Sequence, residues 1–299
     1  MRIHLVDATY ELFRAFYSPR PTVHAPDGQD VGAVVGLLYT LLALLRDEGA
    51  THVGCATDHV IRSFRNRLYA GYKTEAGVPV ELLGQFTLAE RAMEVLGLVV
   101  WPEVEFEADD ALATAAARWA DAKAVEQVLI CTPDKDLAQC VRGDRVVLRD
   151  RRRQTTIDEA GVRERWGVSP ASIPDYLALV GDSSDGYPGL PGWGAKSAAA
   201  VLARFEHLES IPKTVGAWQV DVRSAPALSA TLRAQWDEAL LYRHLARLRL
   251  DVPLPQTSID ELRWRGARRE QWTALCEELG VPALAERPRL WQDQPLTAT

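Results

Sequence analysis

A chain of 299 residues, a quarter of them charged and nearly half apolar, is long enough to bury a sizeable core and fits one large or two ordinary domains. A net charge of −7 argues against a uniformly basic surface, and four cysteines (Cys55, Cys131, Cys140, Cys276) without C-x-x-C spacing argue against disulfides and a zinc site. The longest uncharged run, residues 31–45, is too short to span a bilayer, and Asp7 stands where a signal peptide would be apolar, so a cytoplasmic location is expected.

Residues 2–6 form an apolar run that reads as a strand delivering Asp7 at its C-terminal end. Residues 11–17 read as a helix with Leu12, Phe13 and Phe16 inward and Arg14 displaced from that face. A turn-rich stretch follows over 18–28, and the almost wholly apolar residues 31–46 read as a buried helix. A second strand over 53–57 again ends at an acid, Asp58. Between it and a third strand at 98–101 lie Arg62, Arg65, Arg67, Tyr69, Tyr72 and Lys73, then a helix over 81–96. Cations interleaved with rings suit phosphates and bases, although a solvated helix face edged by tyrosines gives the same pattern.

Glu107, Asp109 and Asp110 open an apolar-faced helix running to 122. Acids are favoured at a helix start by unpaired N–H groups and the helix dipole, so this segment alone reads equally as a well-charged N-terminus. The fourth strand, 127–131, runs directly into Asp134, Lys135 and Asp136, a spacing at which a loop can turn two carboxylates toward one hard cation. Residues 146–149 are the last predicted strand and 150–154 a turn. Strands alternating with helices imply an α/β fold with a mainly parallel, helix-covered sheet.

Beyond residue 160 the pattern is helical, with one helix over 170–180 followed by a loop that carries Asp182 and Asp185. Gly189, Gly192 and Gly194 then lead through Lys196 and Ser197 into a helix over 198–205. Glycines before a helix start let backbone N–H groups approach an anion. The segment is not a P-loop, because Ala195 precedes Lys196 and no buried strand comes before it. The chain stays helical to 279, and 287–299 reads as a loose tail.

Nine carboxylates thus recur where strands or loops end: Asp7, Asp58, Glu107, Asp109, Asp110, Asp134, Asp136, Asp182 and Asp185. Setting them aside turns −7 into +2, so the net charge does not exclude a phosphate-bearing partner. Oxygen ligands in excess, with no histidine among them, favour Mg²⁺ or Mn²⁺ over zinc. Two such ions hydrolyse phosphodiesters, one acidifying a water and the other, roughly 4 Å away, neutralising the leaving oxyanion. Lys73 would add positive charge against the scissile phosphate.

Val6-Asp7, Ser63-Phe64-Arg65 with Gly71-Tyr72-Lys73, and residues 107–110, 132–136 and 181–196 occur in an order and spacing that resemble one family. This is the 5′-nuclease (flap endonuclease) family, whose bacterial members include the N-terminal domain of DNA polymerase I and free-standing 5′-3′ exonucleases; the resemblance covers residues 1–250. It implies a PIN-like metal-binding core over 1–165 with a helical arch at 60–96. It also implies a helical DNA-binding module over 166–299 with a helix-hairpin-helix at 186–205. By the same resemblance Asp7, Asp58, Glu107, Asp109 and Asp110 hold a first Mg²⁺ or Mn²⁺, and Asp134, Asp136, Asp182 and Asp185 a second, some through water. Lys73 and Arg65 become catalytic, and Arg14 and Tyr72 bind DNA. Gly189, Gly192, Gly194, Lys196 and Ser197 grip duplex backbone at a place where the family often holds K⁺.

The implied substrate is DNA with a 5′ end, at a flap, a nick or a single-strand/duplex junction. A monomer is expected, as is a separate DNA polymerase. One departure stands out: the family commonly has a further base three residues after the lysine, and Ala76 is there instead, beside Glu75. That counts against efficient flap threading. Three alternatives fit less well. A PIN-type ribonuclease lacks the large C-terminal hairpin module, a D-x-D phosphatase needs an acid where Thr9 stands, and a DNA binder that had lost catalysis would not keep all nine acids.

Overall fold

The computed structural model describes residues 1–19 and 22–292, so residues 20–21 of the expected turn and residues 293–299 of the expected tail lie outside the described residues. Its centre is a six-stranded sheet in the order β3-β2-β1-β4-β5-β6. The strands are β1 (Arg2–Asp7), β2 (His52–Asp58), β3 (Val99–Glu103), β4 (Gln127–Cys131), β5 (Val146–Asp150) and β6 (Thr155–Ile157). All neighbours pair in parallel except β5 and β6, which are antiparallel. The sixth strand was not anticipated. The expected turn at 150–154 closes a hairpin, and β6 is too short and too exposed to display an alternating pattern.

Parallel strands are covered by helices on both faces, and side chains along a strand alternate between them. Ile3 and Leu5 face one core, Val6 the other. On the Val6 side lie α1 (Ala8–Phe16) and α2 (Gly32–Arg46). After β2 come two short helices, α3 (Arg65–Leu68) and α4 (Val80–Leu83), then α5 (Phe86–Val95), whose Phe86, Ala89 and Met93 join the same core. Leu82 of α4 is buried in the same core and Tyr72 in the other, so much of the stretch expected to form an arch, 60–96, is anchored on the body of the protein.

The Ile3 and Leu5 side is covered by α6 (Ala108–Trp119) and then by the helical half: α7 (Glu159–Trp166), α8 (Ile173–Val180), α9 (Ala195–Phe205), α10 (Ala225–Ala234) and α11 (Trp236–Ala246). Leu112 of α6, Leu177, Leu202 and Leu245 share one continuous core with Ile130 and Leu148 of the sheet. The expected 165/166 division is therefore no division of the core. Nor does the helical half run to the end. Trp264, Trp272 and Leu275, the last two from α12 (Arg269–Glu278), return to the core of α2 and α5. That return is closed by β7 (Ala267–Arg268) pairing with β8 (Trp291–Gln292), so 291–292 form part of a sheet and not of a loose tail. No helix among the described residues is long and apolar enough to cross a membrane.

The strand order reverses at β1, with β2 on one side and β4 on the other. Open α/β sheets form a crevice at the carboxyl ends of the strands at such a point, and here that crevice receives Asp7.

Candidate active site

Asp7 ends β1 and caps α1, accepting hydrogen bonds from Tyr10 N at 2.8 Å and Thr132 Oγ1 at 2.9 Å. Asp58 ends β2 and accepts from Ala108 N, in the first turn of α6, at 2.8 Å. Asp109 stands in the same turn. Burial pushes the Asp7 carboxyl up to about 7, and repulsion from Asp58 and Asp134 adds to it. Burial also lifts Asp58 to about 6 against the attraction of Lys73, and Asp109 goes well above its ordinary range through burial and the charges of Asp134 and Asp7.

A second group forms beside the first. Asp136, Asp182 and Asp185 offer carboxylate oxygens all within 4.8 Å of one another. Asp134 joins the two groups: its Oδ1 accepts from Asp136 N at 2.9 Å, and its charge raises Asp7, Asp109 and Asp136 alike. Asp136 Oδ1 is buried without a hydrogen-bond partner. A bare carboxylate oxygen in a buried site is costly unless a cation meets it. With oxygen donors only, and one of them orphaned, the set suits hard divalent ions.

Lys73 spans the two groups, with Nζ 2.9 Å from Glu107 Oε2 and 3.1 Å from Asp185 Oδ1. Burial alone would lower the lysine, but Glu107 and Asp185 hold it well above its ordinary value. Glu107 responds in kind: burial pushes it up, and Lys73, Arg65 and the Ser63 hydroxyl (2.6 Å) more than offset this, leaving it at about 2. The lysine is placed by its backbone, since Lys73 N donates to Asp185 O at 2.9 Å. Gly186 has φ +87°, and a Cβ there would stand 2.2 Å from Gly71 O. Only glycine lets the second acidic loop close on the lysine segment. Lys135 pairs with Asp182.

A family model described as the 5′-3′ exonuclease N-terminal resolvase-like domain matches residues 2–167, and one described as the 5′-3′ exonuclease C-terminal SAM fold matches 168–270. The chain belongs to the 5′-3′ exonuclease family. It is 36% identical over 288 residues to DNA polymerase I of Mycobacterium leprae (strain TN), covering 95% of this chain and 31% of that protein. It is 38% identical over 261 residues to DNA polymerase I of Rhizobium leguminosarum, covering 84% and 25%. The chain thus spans about a third or less of the curated relatives it matches. Among solved structures, T5 5′-exonuclease with bound zinc superposes with a TM-score of 0.65 at 16% identity, over 93% of this chain and 100% of that one. The catalytic core of Rad2 in complex with DNA substrate gives 0.60 at 14%, over 94% and 88%. These two likenesses are of fold.

Several expected site residues of this 5′-3′ exonuclease family member have other work. Asp110 is 0% exposed, and both its oxygens are taken: Oδ1 by Arg65 Nη2 (2.8 Å) and Arg249 N (2.8 Å), Oδ2 by Arg65 Nη1 (2.7 Å) and Glu107 N (3.1 Å). Four donors leave no lone pair for a metal, so the expected ligand is a structural anion. Arg65, 1% exposed, also donates to Leu245 O at 2.8 Å and cannot reach a substrate, which corrects its expected catalytic role. Tyr72 is 3% exposed with its hydroxyl toward Glu107 Oε2, so its ring is no platform for a base. Arg14 is held by Glu11 and by Thr40 Oγ1 at 2.8 Å.

Gly189 is required for packing, since a Cβ there would lie 2.3 Å from Gly181 N. Gly192 and Lys196 are exposed, and Gly194 is half-buried at the cap of α9 with Ser197 Oγ accepting from its N–H at 3.0 Å. Sequence reasoning missed Ser63, Thr132, Glu103 and Asn66. Asn66 Nδ2 donates to Lys73 O at 2.9 Å, and Glu103, in register with Asp58, is pushed up to about 7 by burial and then by Asp110 and Asp58. The first two follow motif positions, Ser63 before Phe64-Arg65 and Thr132 before Pro133-Asp134. Glu103 had the signal of an acid at a strand end.

Proposed function

We propose that this chain hydrolyses DNA phosphodiesters at 5′ ends, as a 5′-3′ exonuclease and at flaps, nicks and junctions, with two Mg²⁺ or Mn²⁺ ions. The observation that carries the reading is one ammonium, Lys73, held between two carboxylate groups at the switch point of the sheet. Asp7, Asp58, Asp109 and Asp134 would hold one ion, and Asp136, Asp182 and Asp185 the other. When bound, the ions supply an activated water and charge opposite the leaving oxygen. Glu107 keeps Lys73 protonated and aimed, and the ammonium then meets the scissile phosphate, an electrostatic contact that strengthens as charge develops. An excess of carboxylates repels phosphate until cations neutralise it, so productive docking of DNA depends on the ions.

Gly192, Gly194 and Lys196 at the start of α9 would hold duplex through its phosphates, with K⁺ beside them, so recognition follows shape and not base sequence. The protein acts as a monomer, and a DNA polymerase is the partner class its products would serve. Digestion of a 5′-end-labelled flap duplex tests the proposal. Label should leave as short fragments with Mg²⁺ or Mn²⁺, remain in EDTA, and remain largely uncut with Asp136→Asn. Full activity in EDTA, or degradation only from 3′ ends, would overturn it.

A further inference from the structure

The opposite edge of the sheet carries a second polar cavity. It has a volume of about 490 Å³ and is lined by the first halves of β1 and β4, the last residues of β5 and the turn after α2, among them Arg2, His4, Glu48, Thr51, Gln127 and Arg149. Along β1 Asp7 lies five residues beyond Arg2 and three beyond His4, roughly 16 and 10 Å at strand rise, and none of the crevice carboxylates lines this cavity.

Three observations mark it as a place for an anion. His4 is 6% exposed, lines the cavity, and has its Nδ1 buried without a hydrogen-bond partner. That nitrogen has almost no accessible surface, so the ring meets the cavity through its other edge, where Nε2 can serve a ligand. Next, the Arg149 guanidinium bonds only neutral acceptors, Thr156 Oγ1 at 3.2 Å and Gln154 Oε1 at 2.6 Å, and Arg2 approaches Glu126 no closer than 3.6 Å. Last, Glu48 is already neutralised by Arg151 at 2.8 Å. Positive charge is thus left over at the cavity, consistent with a His4 ring held neutral: burial lowers it to about 4, against the pull of Glu48 and with help from Arg151, Arg2 and Arg149.

We infer that this cavity binds a phosphomonoester of mononucleotide size, its phosphate held by Arg2, Arg149 and the His4 ring. Guanidinium forks match phosphate oxygens in charge and geometry, and the Thr51 and Thr156 hydroxyls and the Gln127 amide offer neutral donors around them. The volume exceeds what a phosphate alone fills and falls within the range of small-molecule sites. Glu48 then faces the rest of the ligand as an acceptor for a hydroxyl or a base N–H.

The test follows the six histidine side chains by ¹⁵N NMR in EDTA, where the carboxylate crevice holds no cation and repels the probes. Inorganic phosphate, deoxyadenosine 5′-monophosphate and deoxyadenosine are titrated in turn, with His4→Gln identifying the His4 signal. A saturable His4 shift with the monophosphate and with phosphate, and none with deoxyadenosine, is the expected result. Tighter binding of the monophosphate assigns a nucleotide, and equal binding assigns free phosphate as sufficient. Arg149→Gln should weaken binding on the order of tenfold or more, as loss of a charge-assisted contact requires. Arg2→Gln, at a largely exposed side chain, should do the same without risk to the fold. Neither change should alter cleavage of 5′-ended DNA. An unmoved His4 signal, an equal shift with deoxyadenosine, a response only to oligonucleotides, or wild-type affinity in Arg2→Gln would overturn the assignment.

Discussion

Arg65→Met separates a structural cation from a catalytic one. In the native chain the guanidinium is 1% exposed and forms a two-pronged bond to Asp110 at 2.7 and 2.8 Å, with a third bond to Leu245 O at 2.8 Å. Met fills much of the volume but supplies no donor. Asp110, 0% exposed, keeps only Glu107 N and Arg249 N, and Glu107 loses a cation at 3.3 Å. Removing one partner of a buried pair typically costs about 3–5 kcal/mol, because the other charge stays buried and unpaired. In a protein of this size each kcal/mol shifts the melting temperature by about 2–4 °C, so a fall of roughly 6–20 °C is expected. Arg65→Met with Asp110→Leu should lose less than Arg65→Met alone, since no charge is stranded. Urea unfolding followed by tryptophan fluorescence gives the stabilities, and turnover at saturating DNA is read well below the mutant's transition. Turnover within about tenfold of wild type fits a structural role. A variant as stable as wild type whose turnover has collapsed would refute the reasoning and return Arg65 to the reacting phosphate.

Without divalent ions, stability should fall as pH rises from about 5 to 8. Folded Asp7 and Asp58, at about 7 and about 6, still bind protons that the unfolded chain, with an ordinary value of 3.8, has released, and the stability so conferred is lost as pH passes the folded values. Glu107, at about 2, acts in the opposite sense but only below its ordinary 4.5, outside this window. Saturating Mg²⁺ should flatten the slope; urea midpoints that rise with pH in EDTA would contradict the assignment. Lys73→Ala should lower turnover at saturating DNA by on the order of 10²-fold or more, with a smaller loss of binding, and unchanged turnover excludes contact with the phosphate. Gly194→Val should weaken duplex binding severalfold while sparing single strands, because Gly194 is in extended backbone and a Cβ there meets nothing within 4 Å, whereas valine at Gly192 (φ +84°) would be strained. Duplex binding equal to wild type at matched salt would remove α9 from the interface. Ala76→Arg, at an exposed position next to the Arg62–Glu75 pair, should raise flap cleavage more than exonucleolytic release, and equal single-turnover gains on the two substrates exclude threading past that point.

The first five strands were legible because parallel strands buried on both faces read as apolar runs, and those leading into the crevice are followed by acids that the strand ends deliver there. β6 was not, being short and exposed. Nor could sequence separate Asp109 from Asp110. One residue along a helix turns a side chain by roughly 100°, enough to place Asp109 toward Asp7 and Asp134 and Asp110 against Arg65. The partners that decide this, Arg65 and Arg249, lie 45 and 139 residues away, beyond the reach of local patterning. The same distance hid the clamp between Gly186 and Gly71 that brings Lys73 to the second acidic loop.

The crevice sorts its acids by whether the chain itself supplies their counter-charge. Asp110 has Arg65, Glu107 has Lys73 and Arg65, Asp185 shares Lys73, and Asp182 has Lys135. Asp7, Asp58, Asp109 and Asp136 make no ion pair among the described residues, and burial with repulsion from neighbouring carboxylates pushes all four up. Such groups cost stability when ionised at neutral pH, and several kept together in one cleft is an arrangement that an external cation relieves. Asp110 builds the wall, Asp7, Asp58, Asp109 and Asp136 are left without a counter-charge from the chain, and Glu107 and Asp185 flank the ammonium of Lys73. An ion held by Asp136, Asp182 and Asp185 would share Asp185 with that ammonium, while Glu107 would go on holding it. Metal binding and the positioning of Lys73 would then be coupled through Asp185, and loss of either should weaken the other's effect on phosphate.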